Sequence, residues 1–116
     1  MKISPRHLDS TTIFDISGNI DLSNSPEVRK AFLREMRDNR TPRVLVNLQA
    51  VKYIDSSGIA SLVEGLKASR ETGCRFILYG LTSGAREVLQ ISRLLQVFDV
   101  CDNEEQALQR SSAAAS

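Results

Sequence analysis

A chain of 116 residues, 41% hydrophobic and 25% charged, has the length and composition of one soluble globular domain. Its 15 basic and 14 acidic residues leave a net charge of +1, which excludes bulk electrostatic attraction to nucleic acid or to an anionic membrane. No run approaches the roughly 20 apolar residues of a membrane span, and Met1-Lys2-Ile3-Ser4-Pro5-Arg6-His7 lacks the apolar core of a secretory signal. No membrane insertion and no direct nucleic-acid contact are expected. Cys74 and Cys101 are too far apart for a Cys-x-x-Cys motif and read as reduced thiols of a cytoplasmic protein.

In chain order, Lys2 to Leu8 and Thr11 to Gly18 predict two strands joined at Asp9-Ser10. Pro5, lacking an N–H, places the first at a sheet edge. Gly18-Asn19-Ile20-Asp21 then breaks the pattern. Ser25-Pro26-Glu27 predicts a helix start, with Ser25 as cap and Pro26 first in the helix. Val28, Ala31, Phe32 and Met36 supply its buried side, and Asn39 to Pro42 closes it. The apolar run Arg43 to Leu48 is a buried strand. Ile59, Leu62, Val63 and Leu66 then fall at the i, i+3, i+4, i+7 spacing of an amphipathic helix, which stops at Gly73.

A strand at Arg75 to Tyr79, a helix from Ser83 to Ile91, a short strand at Val97 to Val100 and a helix from Glu104 to Gln109 complete the pattern. Residues 1–110 form one domain, and 111–116 are a low-complexity, frayed tail. Strands alternating with helices after a hairpin imply an α/β fold with a mostly parallel sheet, an antiparallel edge strand and helices packed against it. The periodicities place Ile16, Val44, Val46, Leu62, Leu66, Phe76 and Leu78 in the core.

Asp55-Ser56-Ser57-Gly58 lies where the third strand gives way to the central helix. A serine there sits beside unpaired backbone N–H donors, as an ordinary cap or as a place that tolerates a phosphate. Loops at the carboxyl ends of parallel strands are where such folds place function, so the Gly18–Asp21 and Asp55–Gly58 loops are expected to converge.

Enzymatic readings lack their parts. There is no Gly-x-Ser-x-Gly elbow, and the single histidine, His7, falls on an edge strand. Neither phosphate-cradling glycine motif is present, so no nucleotide cofactor is expected, and one histidine with two separated cysteines makes no zinc site. Arg29, Lys30, Arg34, Arg37, Arg40 and Arg43 are interleaved with Glu35 and Asp38 without a neighbouring aromatic, the pattern of a solvated helix face.

Three segments together resemble the anti-sigma factor antagonists, the stand-alone members of the STAS domain class. Gly18-Asn19-Ile20-Asp21 resembles the family's Gly-x-[Leu/Ile]-Asp after the second strand. Val44-Leu45-Val46-Asn47-Leu48 resembles its third strand, and Tyr53-Ile54-Asp55-Ser56-Ser57-Gly58-Ile59 resembles its signature. The resemblance spans nearly the whole chain and implies a STAS-type fold. It also implies a protein without catalysis of its own. Ser56 would be phosphorylated by a partner that is both anti-sigma factor and serine kinase; the unphosphorylated form would hold that partner, and a serine phosphatase would reset the switch. Asp21, Ser23 and Asp55 would face the partner. Ser57 and Gly58 would form the first helical turn, with the cap assigned to Ser57.

The chain departs from the family in a later segment. Gly80-Leu81-Thr82-Ser83-Gly84 lacks a proline that often follows the fourth strand, and Ser92-Arg93-Leu94 has arginine where glycine is usual. This region is expected to lie away from Ser56. Other STAS domains are accessory subunits of lipid-transport ABC systems or scaffolds in stress complexes. A phosphorylatable serine directly after the aspartate favours the switch over those alternatives.

Overall fold

Residues 1–113 are described by the computed structural model. Strands β1 (Lys2–Leu8), β2 (Thr11–Ser17), β3 (Arg43–Ala50), β4 (Arg75–Tyr79) and β5 (Asp99–Cys101) form one sheet in that spatial order. β1 runs antiparallel to β2, and the remaining pairs are parallel. The hairpin turns at Asp9, whose φ of 54° is left-handed, a conformation an aspartate tolerates through local hydrogen bonding. Pro5 pairs with Phe14 from the open edge of β1, as its missing donor requires.

Helices α1 (Ser25–Leu33), α2 (Ser56–Thr72) and α3 (Ser83–Ile91) share one apolar core on one face of the sheet. Phe32 of α1 stands edge-on between Phe14 of β2, at 5.6 Å, and Phe76 of β4, at 5.3 Å. Gly65 lets α2 lie directly over these rings. A Cβ there would come within 2.8 Å of Phe32 and 2.9 Å of Phe76. Helix α4 (Glu104–Ala113) covers the other face, where Ile13, Leu45, Ile77, Tyr79, Cys101 and Ala107 make a smaller cluster.

The element order matches the expectation, and the differences have local causes. Asn24, not Ser25, is the cap residue of α1, so Ser25 is the first helical residue and Pro26 the second. Past Leu33 the helix widens into a π turn over Arg34–Asp38. The buried Glu35 carboxylate anchors that turn, accepting hydrogen bonds from Thr12 (2.5 Å), Thr41 (2.6 Å) and Asn39 (3.1 Å). β5 begins at Asp99, two residues later than the apolar run implies. Leu66 is only partly buried, while Ile16, Val44, Val46, Leu62, Phe76 and Leu78 are core residues. α4 continues through Ala113, so residues 111–113 are helical rather than tail; Ser111 is buried and donates to the Leu108 carbonyl. The remainder of the expected tail, residues 114–116, lies outside the described residues.

Candidate functional site

At the carboxyl end of the sheet, β2 and β3 separate. A register shift between Asp15 and Ser17 ends their regular pairing, and the Gly18 N–H, at a φ of 89°, still reaches the Ala50 carbonyl at 3.0 Å. The two chains rejoin once more, through a parallel bridge between Ile20 and Ile54. There the Ile20 N–H donates to the Tyr53 carbonyl, and the Asp55 N–H donates to the Ile20 carbonyl, each at 3.1 Å. Ile20 and Ile54 are both fully buried and anchor this bridge in the core. The loops of residues 18–21 and 55–58 therefore converge as expected.

Asp55 is the residue that fastens them. It is the N-cap of α2, with an extended backbone (φ −87°, ψ −176°). One carboxylate oxygen accepts from the Gly58 N–H at 2.9 Å, and the other accepts from the Leu22 N–H at 3.2 Å. The expectation that Ser57 caps the helix is corrected: a carboxylate one residue before Ser56 reaches the third helical N–H, so Ser56 and Ser57 are the first and second helical residues. Their own N–H groups have no intrahelical acceptor and face the end of the helix. Ser56 is exposed, and its hydroxyl has no partner among the described residues; Ser57 is half-buried.

Gly58 is buried where the two loops meet. A Cβ there would lie 2.5 Å from Ile54 Cγ2, 2.7 Å from the Ile20 carbonyl oxygen and 2.9 Å from Ile20 Cγ2. No side chain fits without moving the backbone. Across the gap, Asp21 accepts from the Ser23 N–H at 3.0 Å and the Ser23 hydroxyl at 2.6 Å. These bonds hold the Asp21 carboxyl below the usual carboxylate range, so it is an anion at neutral pH. Asp21, Ser23, Asp55, Ser56, Ser57 and Gly58 thus lie on two loops joined to each other.

Further residues outside the expected site set contribute. Asn24 closes the first loop, accepting from the Asp21 N–H at 2.9 Å and donating to the Asn19 carbonyl at 3.0 Å. An asparagine three residues after an aspartate, just before a helix, is the signal that could have found it. Leu22 and Tyr53, 74% and 52% exposed, are large apolar side chains left in water on the two joined loops. Finally, the segment around Thr82 packs on the exit of β3. Thr82 donates to the Val51 carbonyl at 2.7 Å while capping α3, and Gly84 lies so close to the Lys52 carbonyl that a Cβ would collide with it. Through Val51 and Lys52, this region props the strand exit leading to Tyr53.

This sheet order, with three helices on one face and one on the other and a converging loop pair at the strand ends, defines a class. The chain belongs to the STAS domain family, whose family model matches residues 2–107. Among curated relatives, the anti-sigma-B factor antagonist of Listeria monocytogenes is 26% identical over 101 residues, covering 86% of each chain. Among solved structures, an anti-sigma factor antagonist from Mycobacterium paratuberculosis superposes with a TM-score of 0.84 at 20% identity, covering 96% of this chain and 93% of that one. The anti-sigma factor antagonist SpoIIAA in its unphosphorylated form superposes with a TM-score of 0.74 at 17% identity, covering 94% and 96%. Both structural likenesses establish the fold. Among the described residues, no helix is long and apolar enough to cross a membrane.

Proposed function

We propose that this chain is a cytoplasmic anti-sigma factor antagonist whose partner is an anti-sigma factor with serine kinase activity, and that Ser56 is the switch residue. The observation that carries the reading is the exposed, unengaged Ser56 hydroxyl on the first helical residue beyond Asp55, with Leu22 and Tyr53 exposed on the joined loops. The name of the Listeria relative supports the class of activity. The description of SpoIIAA as unphosphorylated supports a chemistry in which phosphate matters.

The bare hydroxyl lets a partner close over the loops. The kinase transfers the γ-phosphoryl group of ATP to Ser56 Oγ, releasing ADP and the hydroxyl proton and adding about −2 charge. The fold tolerates this, because the free N–H groups and dipole of α2 stabilise an anion at that end. The interface does not. A dianion beside Asp55 and Asp21 must be desolvated against two other carboxylates, and roughly 3–4 kcal/mol of such repulsion weakens binding several-hundred-fold. A serine phosphatase then restores the binding form. In this reading the protein is a substrate and a binding partner, not a catalyst. His7, the only histidine in the chain, is bonded to Thr12 at the amino end of the sheet.

Incubation with the cognate kinase and ATP, followed by mass spectrometry, tests the assignment. Phosphate on Ser56 is expected, with Ser56→Ala unlabelled, folded and bound to the kinase constitutively. Phosphate on Ser57 or elsewhere, with Ser56 untouched, overturns it.

A further inference from the structure

The opposite end of the sheet carries a second feature that the Ser56 reading does not use. Where β3 and β4 begin and α2 ends, a cavity of about 440 Å³ is lined by Arg43, Arg70 and Arg75 together with Pro42, Gly73 and Ser111. None of its lining residues is acidic. In a chain with a net charge of +1, three arginine residues on one cavity are a marked local excess.

The guanidiniums are poorly neutralised. Arg70 has no ion pair or side-chain hydrogen bond among the described residues, and its neighbour Glu71 is engaged by Arg37. Among the described residues Arg43 meets only the neutral Ser10 hydroxyl, at 3.2 Å. Arg75 pairs with Asp99 at 2.7 Å, but Asp99 is shared with Arg110.

The rest of the wall leaves recognition to charge. Ser69 and Ser111 spend their hydroxyl protons on the helix carbonyls of Leu66 and Leu108. Burial pushes the Cys74 thiol up to about 12, so it adds no negative charge near neutral pH. The last turn of α2 contributes about half a negative charge, which three guanidiniums outweigh.

We propose that this cavity is a binding site for a small phosphate-bearing anion of the diphosphate type, separate from the Ser56 loops. Guanidinium forks match phosphate oxygens in pairs, and the two without a carboxylate partner, on Arg43 and Arg70, suit one phosphate group each. The cavity volume also exceeds what a single phosphate needs. The site does not depend on the regulatory reading, since Ser56 lies at the other end of the sheet.

Calorimetric titration of the full chain with inorganic pyrophosphate tests it, together with backbone amide shifts by NMR. Saturable binding is expected, with Gly73 and Cys74 amides moving most. Combined Arg43→Ala and Arg70→Ala substitution should weaken binding by at least about tenfold, since each removes a charge-assisted contact. Lys52→Ala, which removes one charge at the Ser56 end, should change it less than about twofold, as a distant screened charge does. Both arginines are on the surface, and an unchanged amide spectrum elsewhere shows that the variant is folded. Absence of saturable binding, equal loss in the Lys52→Ala variant, or shifts centred on Ser56 to Gly58 would each overturn the proposal.

Discussion

The face of the sheet beneath α1, α2 and α3 is closed by Phe14, Phe32, Phe76, Leu62 and their aliphatic neighbours, whereas the face beneath α4 is completed by polar side chains. There Arg6 pairs with Asp15 and with Glu104, both at 2.5 Å, and Tyr79 donates to Glu104 at 2.7 Å. Asn47 adds a bond to Asp15 at 2.8 Å. A face built from interlocking volumes yields when a volume is removed. One finished by half-exposed charges yields when a charge is removed, and each single pair is worth little in water. The site is suspended from the first kind of construction through Ile20, Ile54 and Gly58, so its geometry is insulated from the second.

The sharpest way to break this contrast is to open a hole under α2. Leu62→Ala should cost about 2–5 kcal/mol, read from the denaturant midpoint. A loss below 1 kcal/mol would show that the central helix is not packed as described. Acid probes the other face. Hydrogen bonds from Arg6 hold the Asp15 and Glu104 carboxyls below their ordinary values. Their contribution is therefore complete above the unfolded carboxylate range near pH 4 and is lost as pH falls through the depressed values. Amide exchange should loosen α4 ahead of α2 as pH drops below about 4. Simultaneous loosening would erase the distinction between the faces. Glu35 is an acid-sensitive point on the first face: burial pushes its carboxyl up, but the bonds from Thr12, Thr41 and Asn39 outweigh that and hold it low.

Smaller effects sharpen the comparison at its edges. Asp55→Ala should destabilise by about 0.5–2 kcal/mol as a lost cap, while Ser57→Ala should stay within about 0.5 kcal/mol. The reverse order in thermal melts would return the cap to the serine. Tyr79→Phe removes one of two bonds to Glu104 and should cost about 0.5–1.5 kcal/mol, visible by urea titration. Arg93 has a left-handed φ of 59° just past α3, where the family's glycine would be unstrained. Arg93→Gly should therefore gain up to about 1 kcal/mol in the same assay, and a loss would mean the arginine side chain contributes more than its backbone strain.

Much of this was legible in the residues. Alternating strand and helix patterns carry topology because each buries one face, and Gly18 to Asp21 and Asp55 to Gly58 lie at strand ends that a parallel sheet brings together. The cap was misplaced because aspartate and serine are equally good caps and differ here by one or two positions in frame. The π turn was invisible because Glu35 owes its place to Thr12 and Thr41, contacts made only after folding. α4 outran its apolar pattern because Ser111 satisfies itself on the helix and is buried without looking apolar. Thr82 and Gly84 were missed for the same reason: their partner is backbone, at Val51 and Lys52, and backbone leaves no trace in a side-chain pattern.

The close approach at Gly58 sets how freely this stretch of the chain can drift. In a library randomised over positions 56 to 58 and sorted only for folded protein, Ser56 and Ser57 should accept many replacements, since one is in water and the other half so. Position 58 should return glycine alone, because every alternative begins with a carbon that Ile20 and Ile54 already occupy. The residue with no side chain is thus the least negotiable letter of the three.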